Sequence, residues 1–282
     1  MKAALVFFLV IVAIGAVIPG PASAQLVLYD NFEASLLDPG RWFGAESAGP
    51  GVDILESRRQ IKNEPITGFR GLNIFSRSYA ATGSDTSRSS SSDRLIFNDG
   101  SLIKTIRATV LVKKFEETAC ATNTKGVTEP RVRIGGFFFN TGTSVPGDAT
   151  NDIQAFIIVG RPTDATDLAA DELKIYARVN LCNDAECDNS TEIGGQDIGT
   201  VRVNKKVKLR ITWDQASNRF VFQKGKAAEV SINYAVPVGS GPGTLNGGNK
   251  RLEVHLLIPN CTSAPRPLAS LEAFFDDVMI EQ

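Results

Sequence analysis

"ELKIYARVNL", Glu172 to Leu181, decides the fold class. Leu173, Ile175, Ala177, Val179 and Leu181 fall on one side of an extended chain, and Lys174, Tyr176, Arg178 and Asn180 on the other. A helix repeats about every 3.6 residues and would mix the two sets, whereas a strand sends successive side chains to opposite faces. "KKVKLRITWD" (205–214) repeats the pattern, with Val207, Leu209, Ile211 and Trp213 facing in and Lys208, Arg210 and Thr212 facing out. "LIKTIRATVLV" (102–112) and "RLEVHLLI" (251–258) behave likewise. Runs of this kind, separated by Gly, Pro, Asn, Asp and Ser, predict an all-β chain of antiparallel sheets with one face on a core.

The first residues stand outside that pattern. Lys2 opens a basic start, the apolar run 3–20 follows, and "PASA" supplies the small residues of a signal-peptidase site. Residues 1–24 are therefore read as a signal peptide cleaved after Ala24, and 25–282 as one domain. Without Lys2, 29 basic side chains face 31 acidic ones. A balance so near neutrality gives no nucleic-acid footprint. No later run approaches the length of a membrane-spanning helix. The expected location is secreted or periplasmic.

All four cysteines, Cys120, Cys182, Cys187 and Cys261, follow the signal segment. An even count in an exported chain reads as two disulfides. Of three connectivities, the preferred one closes the short loop Cys182–Cys187 and leaves Cys120 for Cys261. Loops are expected at 81–94, 141–152 and 236–250, the first a Ser-rich surface excursion whose last residues enter the "RLIF" strand. Gly135 and Gly136 point to a bulge or a close backbone approach.

"YDNFEASLLDPGRW" (29–42), "VKLRITWDQASNRFVFQ" (207–223) and "LEAFFDDVMIE" (271–281) resemble elements of the concanavalin A-like lectin/glucanase superfamily. They match its opening strand and turn, a strand–turn–strand unit after Trp, and its closing strand. The resemblance implies a two-sheet antiparallel jelly-roll sandwich with a concave face that holds a carbohydrate in many members. It does not imply catalysis, because the Glu-x-Asp-x-x-Glu strand of the glucanases is missing. Retaining glycosidases need two carboxyl groups about 5 Å apart across the scissile bond, and "FEET", "ATDLAADEL" and "FFDD" lack the alternation that would place them so.

The remaining chemistry is sparse. The single histidine, His255, alternates with Leu252, Val254, Leu256 and Ile258, and reads first as a partly exposed strand residue. Neither a zinc motif nor a Gly-x-Ser-x-Gly elbow accompanies it. Tyr176 and Arg178 project from one face, and Arg133, Gln154 and His255 join them if their strands share the sheet. These five are the candidate ligand-binding residues; the plain alternative is solvated outward side chains. Trp213 has core parity, and Trp42 is expected to cap the core near the first turn.

At the chain ends, parity groups Asp276 with Phe274, Val278 and Ile280, and Asp30 with Leu28 and Phe32. A carboxylate aimed at a core needs a partner or a cation. Asp30, Glu33, Asp276 and Asp277 are therefore a candidate structural Ca2+ site of hard oxygen ligands. The function read from all this is an exported, non-catalytic binding module for a glycan or other extracellular polymer. The alternatives are a polysaccharide lyase or atypical hydrolase, and a structural or adhesive surface protein.

Overall fold

The computed structural model describes residues 25–282 except 66, 69, 124, 125, 140–147, 186, 188 and 236–248. The expected signal segment 1–24, most of the loops at 141–152 and 236–250, and the side chains of Phe137 to Phe139 lie outside the described set.

Two sheets face each other. The first holds β1 (Val27–Asp30), β3 (Asp53–Asn63), β4 (Arg70–Tyr79), β6 (Thr105–Glu117), β11 (Lys206–Asp214), β12 (Arg219–Lys224), β13 (Val230–Asn233) and β15 (Leu268–Glu281). Its order is β13-β12-β11-β6-β15-β4-β3, with β1 added on β15. The second holds β2 (Trp42–Ala48), β5 (Arg88–Phe97), β7 (Glu129–Phe139), β8 (Ile153–Gly160), β9 (Glu172–Cys182), β10 (Ser190–Arg202) and β14 (Lys250–Pro259). Its order is β10-β9-β8-β7-β14-β5-β2. Strand pairing is antiparallel throughout both. This is the two-sheet antiparallel jelly-roll sandwich that the alternation and the resemblance predict.

Parity explains the core. Leu173, Ile175, Ala177 and Val179 of β9 are fully buried, and so are Ala155, Ile157 and Val159 of β8. Opposite them stand Leu209, Ile211 and Trp213 of β11. Full burial of one such aliphatic side chain contributes about 1.5–3 kcal/mol, so Ile175→Ala would cost about 2–5 kcal/mol with its cavity. Trp213 is in the core as expected and donates from Nε1 to the Tyr234 hydroxyl at 2.6 Å. Trp42 caps the core at its first turn, with Phe32 and Phe97 against its ring. Cys120–Cys261 and Cys182–Cys187 are the disulfides, and no cysteine is free.

Gly135 and Gly136 mark a close approach. Their φ angles are 134° and 144°, and a Cβ at either would stand 2.1 Å from a neighbouring backbone oxygen, Ala155 O or Asn249 O.

One expectation is sharpened and two give way. The Ser-rich segment 81–94 is an excursion only as far as Ser87; β5 begins at Arg88 and is paired on both sides, with β14 and with β2. Small hydroxyl side chains fit there because they bond across the sandwich. Ser91 meets Ser78 of β4 at 2.8 Å, and Asp93 takes Ser57 and Arg59 of β3. Gly44 makes room for that arginine, since a Cβ there would lie 2.7 Å from the Arg59 guanidinium carbon.

Second, the parity of β15 breaks. Asp277 has φ 48°, and the pairing with β6 slips between Asp276 and Met279. Ala273 and Phe275 face the core before this bulge, and Val278 and Ile280 face it afterwards. Phe274 and Asp276 therefore lie on the outer side, not beside Val278 and Ile280. A bulge inserts one residue and reverses every facing beyond it. At the other chain end, Leu28 is 55% exposed and Phe32 is fully buried, with φ 50° at Phe32 and a register shift before Asp30. Third, His255 is buried, at 7% exposure, rather than partly exposed.

Candidate functional site

The outer face of the second sheet is assembled from the residues that alternate with the core. Register sets Tyr176 beside Ile158, Ile158 beside Arg133, and Arg133 beside Glu253. In the same way Arg131 pairs with His255, and Arg178 with Phe156. Phe156 and Ile158 are almost fully buried, so this face has an apolar floor under its charges.

Two bonded clusters stand on that floor. In one, the Tyr176 hydroxyl donates to Glu129 Oε1 at 2.7 Å and accepts from Arg131 Nη1 at 3.3 Å. Arg131 also donates to Glu129 Oε2 at 3.2 Å and, through Nε, to His255 Nδ1 at 3.1 Å. In the other, Glu253 accepts two bonds from Arg133 and one from Arg251, while both guanidinium groups lie over the Phe156 ring at 4.7 and 5.2 Å.

The electrostatics follow from burial and neighbours. Burial raises the Tyr176 phenol; Arg131 opposes the rise and Glu129 adds to it, leaving the group pushed up to about 12. Burial lowers His255, and Arg133 and Arg131 lower it further, so the imidazole is held well below its ordinary range. Burial would raise Glu253, but Arg133 and Arg251 prevail and keep it well below the usual carboxylate range.

Beside the first cluster an open cleft of about 610 Å³ runs along β9 and β10. Lys174, Tyr176 and Arg178 line it from β9, Glu192, Gln196 and Asp197 from β10, and Pro162 and Asp164 from the β8–β9 connection. Lys174 pairs with Asp197 at 2.8 Å and Arg178 with Glu192 at 3.0 Å. Arg161 fastens the connection, donating to Ala169 O at 2.7 Å and standing 3.6 Å from Glu117. Glu117 is raised to about 7 by burial; Arg161 opposes this, and Glu129 and Asp164 reinforce it.

All five candidate ligand residues thus face outward from the second sheet. Tyr176 and Arg178 line the cleft, Arg133 and His255 lie in the buried array behind it, and Gln154 stands at the far end, donating to Cys187 Sγ at 2.9 Å. Arg133 and His255 are not the solvated side chains of the plain alternative. Glu129, Arg131, Lys174 and Glu253 were missed, although each shares parity with a candidate on its own strand. A larger cleft of about 970 Å³, on the outer face of the first sheet, is lined by Thr105, Arg210, Thr212 and Asp214 and contains none of the candidates.

The terminal carboxylates divide. Both oxygens of Asp30 are engaged, Oδ1 by Phe32 N at 2.8 Å and Oδ2 by Trp42 Nε1 at 2.7 Å, which makes Asp30 a latch for the first turn. Asp276 Oδ1 is buried without a hydrogen-bond partner. Burial raises its carboxyl to about 6, with the charges of Asp277 and Glu33 adding to the rise. Among the described residues, Asp85, Cys120 and Cys261 form a group of metal-type ligand atoms within 4.8 Å, but both sulfurs belong to the disulfide.

No family model and no curated protein matches the chain. Among solved structures it is similar to a β-1,3-glucanase from Mycobacterium marinum, at 12% identity over 90% of this chain and 99% of that one, with a TM-score of 0.35. It is similar to an immunostimulatory antigen and pseudo β-1,3-glucanase of Mycobacterium tuberculosis, at 13% identity over 87% and 96%, TM-score 0.32. It is also similar to the Ca2+/Man3GlcNAc-bound exoplasmic/lumenal domain of VIP36, at 12% identity over 89% and 90%, TM-score 0.35. Identities this low say nothing of ligand or chemistry.

Proposed function

We propose that the protein is an exported, non-catalytic module that binds a glycan in the cleft along β9 and β10. One observation carries this reading: an open groove whose walls alternate fixed donors and acceptors, with Tyr176 and Glu129 in its lining and Arg131 bonded behind them. Sugar hydroxyls both donate and accept, and a wall of pre-oriented charged groups offers strong hydrogen bonds at little ordering cost. A groove favours this over a structural surface protein, for which a flat apolar face is expected. Two disulfides, and the lack of any helix long and apolar enough to span a membrane among the described residues, support export.

The lyase alternative needs a group able to take a proton from a sugar carbon. Tyr176 at about 12 holds its proton, and His255 is buried with Nδ1 occupied by Arg131. Both arrangements suit positioning better than proton transfer.

The test is affinity electrophoresis through gels carrying soluble polysaccharides. Wild-type protein is expected to be retarded by at least one polymer, and a Tyr176→Phe/Arg178→Ala variant with an unchanged melting temperature is expected to migrate freely. Full retardation of the folded variant would place the site elsewhere.

A structural cation is the second element, favoured by the unpartnered Asp276 Oδ1. Asp276, Asp277 and Glu33 supply only hard oxygen ligands, which suits Ca2+. Their oxygens do not all lie within 4.8 Å of one another and Asp277 pairs with Lys208 at 3.8 Å, so an ion would have to draw them together. Bound there, the ion would supply charge neutralisation and no chemistry.

A further inference from the structure

We infer that the polymer held in this cleft is anionic, presenting a carboxylate or sulfate to Arg88 and Arg178 while its hydroxyls meet the cleft carboxylates. This rests on the glycan-binding reading above and narrows it to a ligand class.

The first observation is what the cleft lacks. Neutral sugars are commonly gripped by stacking on an open aromatic ring. Trp42 and Trp213 are buried at 3% and 6% exposure, and the Arg178 guanidinium covers the Tyr176 ring at 5.6 Å. Among the described lining residues, no other aromatic ring is present. Affinity must then come from charge-assisted hydrogen bonds.

The second is the pattern of pairing. Arg131 has Glu129, Arg133 and Arg251 share Glu253, Arg178 has Glu192, and Lys174 has Asp197. Arg88 has no ion pair or hydrogen bond from its side chain among the described residues. It begins β5 on the outward side, and its stem runs past Gly126, where a Cβ would meet Arg88 Cβ at 3.5 Å. Val127, the next residue, lines the cleft. Arg88 does not line the cleft itself but stands at its margin beside Gly126 and Val127. Burial lowers its pKa most, and the charges of Arg131 and Arg178 lower it further against Glu129. An anion placed there would relieve that repulsion. The cleft carboxylates, of which Asp164 and Asp197 are the outermost, then serve as hydroxyl acceptors.

The experiment compares polygalacturonate, dextran sulfate and unsubstituted dextran in affinity gels, with wild type, Arg88→Gln and Arg88→Lys. Retardation by polygalacturonate or dextran sulfate but not by dextran, weakened about tenfold in Arg88→Gln and recovered in Arg88→Lys, supports the inference. Which of the two polymers binds separates carboxylate from sulfate. Retardation by dextran, or anion binding indifferent to Arg88→Gln, overturns the inference and leaves the glycan module standing. Retardation by none of these or of a wider neutral panel overturns both.

Discussion

Arg133 reaches Glu253 on the neighbouring strand through two parallel hydrogen bonds of 2.8 Å each. The carboxylate is fully buried and holds Arg251 as well, so one negative charge keeps two desolvated guanidinium groups in place. Removing one member of such a group leaves uncompensated charge, at a cost of about 3–5 kcal/mol. Glu253→Ala is expected to lower the melting temperature by about 10 °C. Replacing Arg133, Arg251 and Glu253 together by apolar residues is expected to restore most of it. Calorimetry of the two variants checks both.

Glu117 makes stability depend on pH in an unusual direction. Its folded value of about 7 lies above the 4.5 of an unperturbed carboxyl, so the folded state binds the proton more tightly. The contribution is complete below 4.5 and is lost as pH rises through 7. From pH 6 to pH 8 the loss amounts to about 1 kcal/mol, or about 2–4 °C. Glu117→Gln is expected to flatten the profile over that interval, which a melting series in buffers of matched ionic strength would show.

The two disulfides are expected to contribute unequally. Cys120–Cys261 closes a separation of 141 residues and Cys182–Cys187 one of 5. The chain-entropy relation gives about 5 and about 2 kcal/mol. Serine replacement of the first pair should lower the unfolding midpoint more than replacement of the second, and thiol titration of native wild type should find none.

Chelation tests the cation. Above pH 6 the Asp276 carboxyl is ionised beside Asp277 and Glu33, and a bound Ca2+ would offset that repulsion. A chelator is expected to lower the melting temperature at pH 8, and the loss should be smaller in Asp276→Asn. An unchanged transition would mean that no Ca2+ is bound there.

The strands were legible because their parity is strict: β9 and β11 expose every second residue, and the sheet does the rest. Tyr176 and Arg178 could be named as a pair for the same reason. Glu129 and Arg131 were harder to see, since Pro130 separates them and central strands seldom admit proline; here it is only the second residue of β7. The start of β5 was hidden by composition, because serine runs favour loops unless a facing sheet supplies hydroxyl and guanidinium partners, as Ser78, Ser57 and Arg59 do. The facing of Asp276 was unreadable, because nothing in "FFDDVMI" announces that Asp277 adopts a positive φ. Arg88 acquires meaning only once Arg131, Arg133, Arg178, Arg251 and Lys174 have found carboxylates and Arg94 the Ser47 hydroxyl.

The contacts joining β3 and β4 to β5 differ in kind from those across β8, β9 and β11. Along the first margin the sheets are held by hydroxyls, a carboxylate and a guanidinium; along the second, by alkyl and indole groups. Water can replace a hydrogen-bonded contact at little net free energy but cannot replace a buried aliphatic one. Thermal breathing therefore starts on the β3–β5 side, and amide protons of β2 and β3 exchange with deuterium before those of β8 and β9. The cleft lies on the side that stays shut.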